Sequence, residues 1–281
     1  MNGLWFIRSP RLRWLIAALV LSATLVVFVF PMVVAVLWSL VDPAVGWFPP
    51  HIVPASLSLA NWQALFAVPE LSQAFVTSFI VAVLVTLLSL ALGFPTSYAL
   101  ARRDLKHRRL IELLVLLPLT LPSVVLATGL GSIFIRLGLA QTLLGVVLAQ
   151  CIVVMPFTIR ILTATLSGVP QDLIDAARNL GAAPISVARC VLLPMVLPGL
   201  FAGALLAFVG SLEEFLLSFV VGMPKIETLP MLLWAYLGGR SSIQTYAAVV
   251  SLVLLIPTLA MLFVAERVLK QEHLAAGFGK G

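Results

Sequence analysis

Charged residues are scarce in this chain: of its 281 residues, only 10% are Asp, Glu, Lys or Arg. Hydrophobic residues make up 62%, and the mean hydropathy is +1.15. A soluble domain typically has about 25% charged and about 45–50% apolar residues. The composition therefore excludes a soluble globular protein and indicates that most of the chain lies in lipid.

Cysteine and histidine are also rare, with two and three residues respectively. Cys151 lies in an apolar run and Cys190 in a polar loop, so their spacing indicates neither a disulfide framework nor a metal site. The histidines are scattered among loops, and no G-x-x-x-x-G-K-[ST] phosphate-binding loop is present. We expect no catalytic site, no metal and no cofactor bound by this chain.

Six apolar runs are long enough to cross a bilayer, whose hydrocarbon is about 30 Å thick and needs roughly 20 helical residues. Backbone groups in lipid must be hydrogen-bonded within the structure, so we expect each run to be helical. The first run is too long for the apolar part of a signal peptide. The prediction is an all-α membrane protein, with 1–281 as a single transmembrane domain and spans at 14–39, 74–100, 110–135, 142–164, 197–221 and 244–265.

The distribution of Lys and Arg predicts the orientation. Placing the N-terminus in the cytoplasm puts all 17 on that side except Arg136, Lys225 and Arg240, as the positive-inside rule requires. Both termini are then cytoplasmic. The basic cluster 102–109 fits a loop near anionic headgroups, so nucleic acid is not an expected partner. The segment 40–73 is external and rich in proline and aromatic residues, which favours an interfacial cap, with docking of an external partner as the alternative.

The loop 165–196 holds the most informative local pattern. Pro170 suits the first turn of a helix, Asp172 suits its positive end, and Gly181 is a natural stop, so we predict a helix over 170–180 and a second over 184–193. Small and apolar residues recur on one face of the first helix. This stripe fits either a groove on another protein or this chain's own helix ends, and it comprises Leu173, Ala176, Ala177 and Leu180.

The same loop contains Asp175-Ala176-Ala177, three residues, Gly181, nine residues, then Val191, Leu193 and Pro194. This spacing resembles the signature loop of permeases of binding-protein-dependent ABC importers, Glu-Ala-Ala, x3, Gly, x9, Ile-x-Leu-Pro. The resemblance implies the type I importer permease fold and a coupling helix that enters a cleft on a cytoplasmic ATPase. The candidate coupling residues are Asp175, Ala176, Ala177, Arg178, Gly181, Val191, Leu193 and Pro194.

The resemblance also implies the partners. They are a second permease, two ATPase subunits that bind ATP and Mg, membrane lipid, and a periplasmic or extracellular substrate-binding protein, all at a bacterial inner membrane. The chain looks closest to the spermidine/putrescine-type branch, on Asn61-Trp62, the stretch 210–215, and Thr228-Leu229-Pro230 followed by Trp234. A polyamine or similar amine is the expected solute. The alternatives are an amino acid, an opine, an aminophosphonate or an anion, and a secondary transporter driven by an ion gradient.

Glu213 and Glu214 are adjacent carboxylates inside the fifth predicted span. A carboxylate near mid-membrane costs about 2.5–3.5 kcal/mol, so it usually faces a cavity or a polar partner. One reading places Glu213 or Glu214 on the substrate path with Phe215 and Trp234, attracting a cation. The alternatives are a structural carboxylate that bonds a partner subunit or a helix break at Gly210-Ser211, and a residue at headgroup level.

Prolines within the predicted spans could bend them. The third predicted span contains Pro118 and Pro122, the fourth Pro156 and the sixth Pro257. We expect such bends either to shape a cavity or to serve packing alone.

Overall fold

The computed structural model describes residues 10–239 and 244–277. Apart from one isolated antiparallel bridge between Val41 and Leu57, the regular structure of these residues is helical. The elements are α1 (Pro10–Ser39), α2 (Ala60–Phe66), α3 (Pro69–Arg102), α4 (Arg108–Thr120), α5 (Ser123–Arg136), α6 (Leu143–Ser167), α7 (Gln171–Asn179), α8 (Pro184–Val187), a π-helical turn (Ala188–Leu192), α9 (Leu193–Glu213), α10 (Leu216–Gly222), α11 (Leu229–Trp234), a second π-helical turn (Ala235–Gly239) and α12 (Gln244–Gly277).

The predicted all-α membrane fold is confirmed. Within the described residues five helices are long and apolar enough to cross a membrane, and a bent pair makes a sixth span. The third span corrects the prediction of one helix over 110–135, since α4 and α5 meet at an angle of 100°. Leu121, which precedes Pro122, is extended with φ −84° and ψ 141°, because the proline ring disfavours helical backbone at the preceding residue.

The chain forms two compact units. The first comprises the residues up to Val68 together with Ala235–Leu252. In its segment between α1 and α2, the side-chain amide of Asn61 donates to the backbone oxygen of Val41, beside the bridge to Leu57. Trp38 and Trp47 contact each other with ring centroids 4.9 Å apart. The interfacial position of this segment stays a prediction.

The second unit comprises Pro69–Trp234 and the chain from Val253. Its centre is the mutual packing of α3, α6 and α9. Small residues allow the close approach, as is common between helices in lipid. Gly93 of α3 and Gly203 of α9 both face Thr158 of α6, and a methyl group added at Gly199 would collide with Thr165.

Candidate functional site

The helix α7 lies in the loop between the fourth and fifth spans, close to the predicted bounds of 170–180. Gly181 follows it with φ +84°, a left-handed conformation that favours glycine. The N–H of Gly181 donates to the Arg178 oxygen at 2.9 Å, and the N–H of Ala182 donates to the Ala177 oxygen at 3.1 Å. These two bonds form a Schellman motif. The prediction that Gly181 ends this helix is confirmed.

The two faces of α7 have different surroundings. Ile174 is 4% exposed and packs with Val187 and Leu192 in a buried cluster, which Ala177 joins from the same side. Leu173 and Leu180 are 47% and 89% exposed, and Ala176 is also exposed. Most of the predicted apolar stripe therefore faces away from this chain. Sequence reasoning missed Ile174, although its spacing of three residues from Ala177 was the available signal.

The second half of the motif lies where α8 runs on into α9. Residues Pro184–Glu213 form one long helical stretch, which corrects the prediction of a separate helix over 184–193. Its π-helical turn ends two residues before Pro194. A proline inside a helix lacks the N–H donor and crowds the preceding turn, which accounts for the widened turn there. Val191 is half-buried against the Ile174 cluster, whereas Leu193 and Pro194 are exposed.

Arg102, at the end of α3, holds the start of α7. Its Nη2 donates to the Val169 oxygen at 2.6 Å and its Nη1 to Oε1 of Gln171 at 3.2 Å. Gln171 in turn donates from Nε2 to Oδ1 of Asp175 at 3.1 Å. Sequence reasoning had assigned Arg102 only to a basic loop. The contact links the coupling candidate directly to a membrane-spanning helix.

The two acidic residues lie at a helix break rather than inside a continuous span. The helix α9 ends at Glu213, whereas the sequence predicted a span through 221. Glu214 is non-helical with ψ 109°, and its Oε1 accepts the N–H of Leu217 at 2.8 Å, capping α10. Glu214 thus has the structural role considered as an alternative, but the break lies at Glu214-Phe215 instead of Gly210-Ser211. Glu213 is exposed.

A buried polar cluster supports this break. Gln150 of α6 has no exposed surface, donates from Nε2 to Oγ of Ser218 at 2.8 Å, and accepts from the hydroxyl of Ser211. Ser218 also donates to the backbone oxygen of Glu214 at 3.2 Å. Buried polar groups are stable only when hydrogen-bonded, so the cluster ties α6 to α9 and α10. Sequence reasoning missed Gln150, which is the one amide side chain in the run 142–164.

Three aromatic rings meet beside the break, and we name Phe215, Phe219 and Trp234 the aromatic trio. The ring centroids lie 5.3 Å apart for Phe215 and Phe219, 6.0 Å for Phe215 and Trp234, and 5.2 Å for Phe219 and Trp234. Trp234 is 46% exposed. The structure therefore brings together the predicted pair Phe215 and Trp234 and adds Phe219, one helical turn after Phe215.

The position of Trp234 depends on a contact between α3 and α11. Leu229, the first residue of α11, donates its N–H to Oγ of Ser78 at 2.8 Å. Thr228, Leu229 and Pro230 are all buried. The stretch that sequence reasoning singled out before the sixth span thus anchors the helix at whose end Trp234 lies.

The fold and the motif define a multi-pass membrane transport subunit. The family model described as "Binding-protein-dependent transport system inner membrane component" matches residues 89–271. Because this match covers more than half of the chain, the protein belongs to that family, as permease subunit of a binding-protein-dependent ABC importer. The sequence resemblance is confirmed at this level, and the finer assignment to a polyamine branch is not.

The relatives differ in the solutes for which they are named. The chain is 31% identical over 83% of its length to the sulfoquinovosyl glycerol transport system permease protein SmoH of Agrobacterium fabrum, covering 81% of that protein. It is 23% identical over 76% of its length to the spermidine/putrescine permease protein PotC of Haemophilus influenzae, covering 82%. Further relatives are named for molybdenum. A bacterial ABC transporter for alginate import matches with a TM-score of 0.73 at 16% identity, covering 93% of this chain and 98% of that one, which shows the fold alone.

Proposed function

We propose that α7 is the coupling helix of this permease and docks on a separate ATPase subunit. The observation that carries the proposal is the exposed face formed by Leu173, Ala176 and Leu180, which the described residues leave uncovered while Ile174 anchors the opposite side. The Schellman motif at Gly181 and the Arg102 contacts hold α7 in place, so a push on its outer face moves α3 and the start of α9.

The full assembly that we propose has a second permease, two ATPase subunits and an external substrate-binding protein, in a bacterial inner membrane. ATP and Mg bind to the ATPase subunits. The loaded binding protein docks on the outside, and the ATPases close on the inside. These two events open one central cavity to the two sides of the membrane in turn. The family match excludes the alternative of a secondary transporter, because members of the family are components of binding-protein-dependent systems.

Copurification tests the coupling role. Ala176→Trp places a large ring on the exposed outer face of α7. We expect the tagged variant to retain little ATPase subunit and to lose ATP-driven uptake. Lys106→Trp is the control, because Lys106 is exposed in a loop on the same predicted side. Equal ATPase recovery in the two variants would contradict the proposal.

We further propose that the aromatic trio and Glu213 contact the solute, and that the solute is a polyamine or similar amine. An ammonium group is attracted to aromatic faces within about 6 Å, and the exposed carboxylate of Glu213, two residues before Phe215, adds opposite charge. The helices α10 and α11 contain no Lys or Arg. These features favour a cation over an oxyanion such as molybdate.

A sugar is the second candidate. It is favoured by the relative named for sulfoquinovosyl glycerol, which matches most of this chain, and by the aromatic faces, on which the C–H face of a sugar ring can stack. Solute-stimulated ATP hydrolysis by the complex with its binding protein separates the candidates. Stimulation by putrescine or spermidine supports the amine, stimulation by a neutral sugar supports the second candidate, and stimulation by molybdate alone excludes both.

A further inference from the structure

A basic groove lies between the end of α3, the inner side of α7 and the turn that leads into α9. Its volume is about 870 Å³, and we name it the arginine groove. Among the residues that the structure describes, four guanidinium groups line it and no Asp or Glu does. They belong to Arg102, Arg103, Arg178 and Arg189.

The positive charge of the groove is poorly compensated within the described part of the chain. Arg102 donates to a backbone oxygen and a glutamine amide, neither of which is charged, and its Nε is buried without a hydrogen-bond partner. Arg178 lies 3.8 Å from the Asp175 carboxylate, and both side chains are more than half exposed. A pair of that kind contributes little. The described residues therefore offset the positive charge of the groove only weakly.

The other described residues that line the groove are mostly apolar. They include Phe94, Pro95 and Tyr98 of α3 together with Leu192 and Leu193. Phe94 precedes Arg102 by eight residues, which corresponds to about 12 Å along a helix. The groove thus offers a cluster of cationic groups at one end and an apolar surface about 12 Å long that leads from it toward the middle of the predicted span.

The position of the groove agrees with a cationic end at the membrane surface and an apolar part that leads into the membrane. The end of α3 is the point where the predicted second span reaches the predicted cytoplasmic side. The cytoplasmic leaflet contains anionic lipids that attract basic residues at its surface. A free phosphate would use only the guanidinium groups, and an acidic protein segment would leave the apolar residues uncovered, whereas a lipid uses both.

We propose that the arginine groove binds an anionic phospholipid, with the phosphate on Arg102, Arg103 and Arg189 and an acyl chain along Phe94 and Leu192. The lipid braces α7 against α3 from behind while the outer face of α7 stays open. The proposal needs only the membrane location of the chain, so it stands whether or not α7 couples to an ATPase.

The test uses the purified complex in nanodiscs of phosphatidylcholine with increasing phosphatidylglycerol, and native mass spectrometry counts the retained lipids. The variant Arg103→Gln/Arg189→Gln removes two charges from the groove, and both side chains are exposed, so folding is retained. At about 1 kcal/mol for each basic residue and 1.4 kcal/mol for each factor of ten, we expect roughly thirtyfold weaker retention of phosphatidylglycerol. Lys106→Gln/Arg109→Gln removes the same charge outside the groove and should retain the lipid.

Three outcomes would overturn the proposal. One is equal loss of phosphatidylglycerol in the two double variants, since this would show a general charge effect. The second is displacement of the lipid by inorganic phosphate or glycerol phosphate at millimolar concentration, which would show a site for free anions. The third is unchanged lipid retention with reduced recovery of the ATPase subunit, which would assign the arginines to a protein partner. Weaker retention in Arg103→Gln/Arg189→Gln alone, resistant to both anions, supports the lipid.

Discussion

The α7 region and the α9–α10 break are held in place in different ways. At α7, one buried side chain and a terminal glycine hold a helix whose outer face stays uncovered. At the break, a buried network around Gln150 holds a chain interruption inside the helical packing. The first region combines bonds between neighbours in sequence with the contacts of Arg102 to the start of α7. The second depends on side-chain bonds that join α6 to α9 and α10. Damage at α7 should therefore abolish coupling with little loss of stability. Damage at the break should lower stability with little loss of coupling.

The largest effect is expected from Gly181→Leu. A side chain at φ +84° is strained by roughly 1–2 kcal/mol, and it stands beside the proposed ATPase contact. We expect more than about tenfold loss of transport, since a 1.4 kcal/mol shift already changes an equilibrium tenfold, with normal membrane insertion. Solute uptake into proteoliposomes measures this loss.

Gly138→Leu is the matched control for this change. Gly138 also has positive φ, +69°, and a Cβ there meets no atom within 4 Å, as at Gly181. It lies between α5 and α6, away from α7. Similar loss of uptake in both variants would assign the effect to backbone strain rather than to coupling.

Gln150→Leu should destabilise the break. It removes the acceptor of the Ser211 hydroxyl and one of the two partners of Ser218. Leaving a buried hydroxyl unsatisfied costs about 1–3 kcal/mol. We expect a lower thermal-denaturation midpoint of the purified complex. Ser89→Ala is the control, since Ser89 makes only a 3.2 Å contact with Cys151 between α3 and α6. An unchanged midpoint in Gln150→Leu would show that the network does not hold the break.

Substitutions at Glu213 and Glu214 should separate the effect of solute contact from the effect of helix capping. Glu214→Ala removes the cap on Leu217 and should cost about 1 kcal/mol of stability, whereas Glu214→Gln keeps an acceptor oxygen and should cost less. Glu213→Gln should leave stability unchanged and weaken stimulation by an amine several-fold. Thermal denaturation and solute-stimulated ATP hydrolysis measure the two effects. Loss of stimulation only in Glu214→Gln would assign the solute contact to Glu214 instead of Glu213.

Asp175→Glu should have the smallest effect. It restores the acidic residue of the family pattern and lengthens the side chain by one methylene, while its contacts to Gln171 and Arg178 are exposed. Exposed pairs of this kind contribute about 0–1 kcal/mol. We expect the ATPase rate to change by less than about fivefold, since 1.4 kcal/mol corresponds to tenfold. A larger change would place Asp175 in a tighter contact than this chain alone shows.

The sequence predicted what local chemistry determines. Apolar runs indicated the spans, and Pro170 and Gly181 predicted the bounds of α7 to within a residue or two. The break after Glu213 was missed because no proline or glycine marks it. It depends on bonds that Gln150 makes to Ser211 and Ser218 across the packing. Two members of the aromatic trio, Phe215 and Trp234, were named from the sequence, and Phe219 was missed. The contact between Trp234 and Phe215 depends on the bond of Ser78 to α11, which no local pattern indicates.

The most direct test of the central claim is photocrosslinking from a benzoylphenylalanine placed at position 176 in the assembled complex. If α7 is the coupling helix, position 176 crosslinks to the ATPase subunit, and position 106, which lies in the basic loop on the same predicted side, does not. A crosslink of equal yield from both positions, or none from position 176 in a complex that hydrolyses ATP, would contradict the assignment of α7 as the coupling helix.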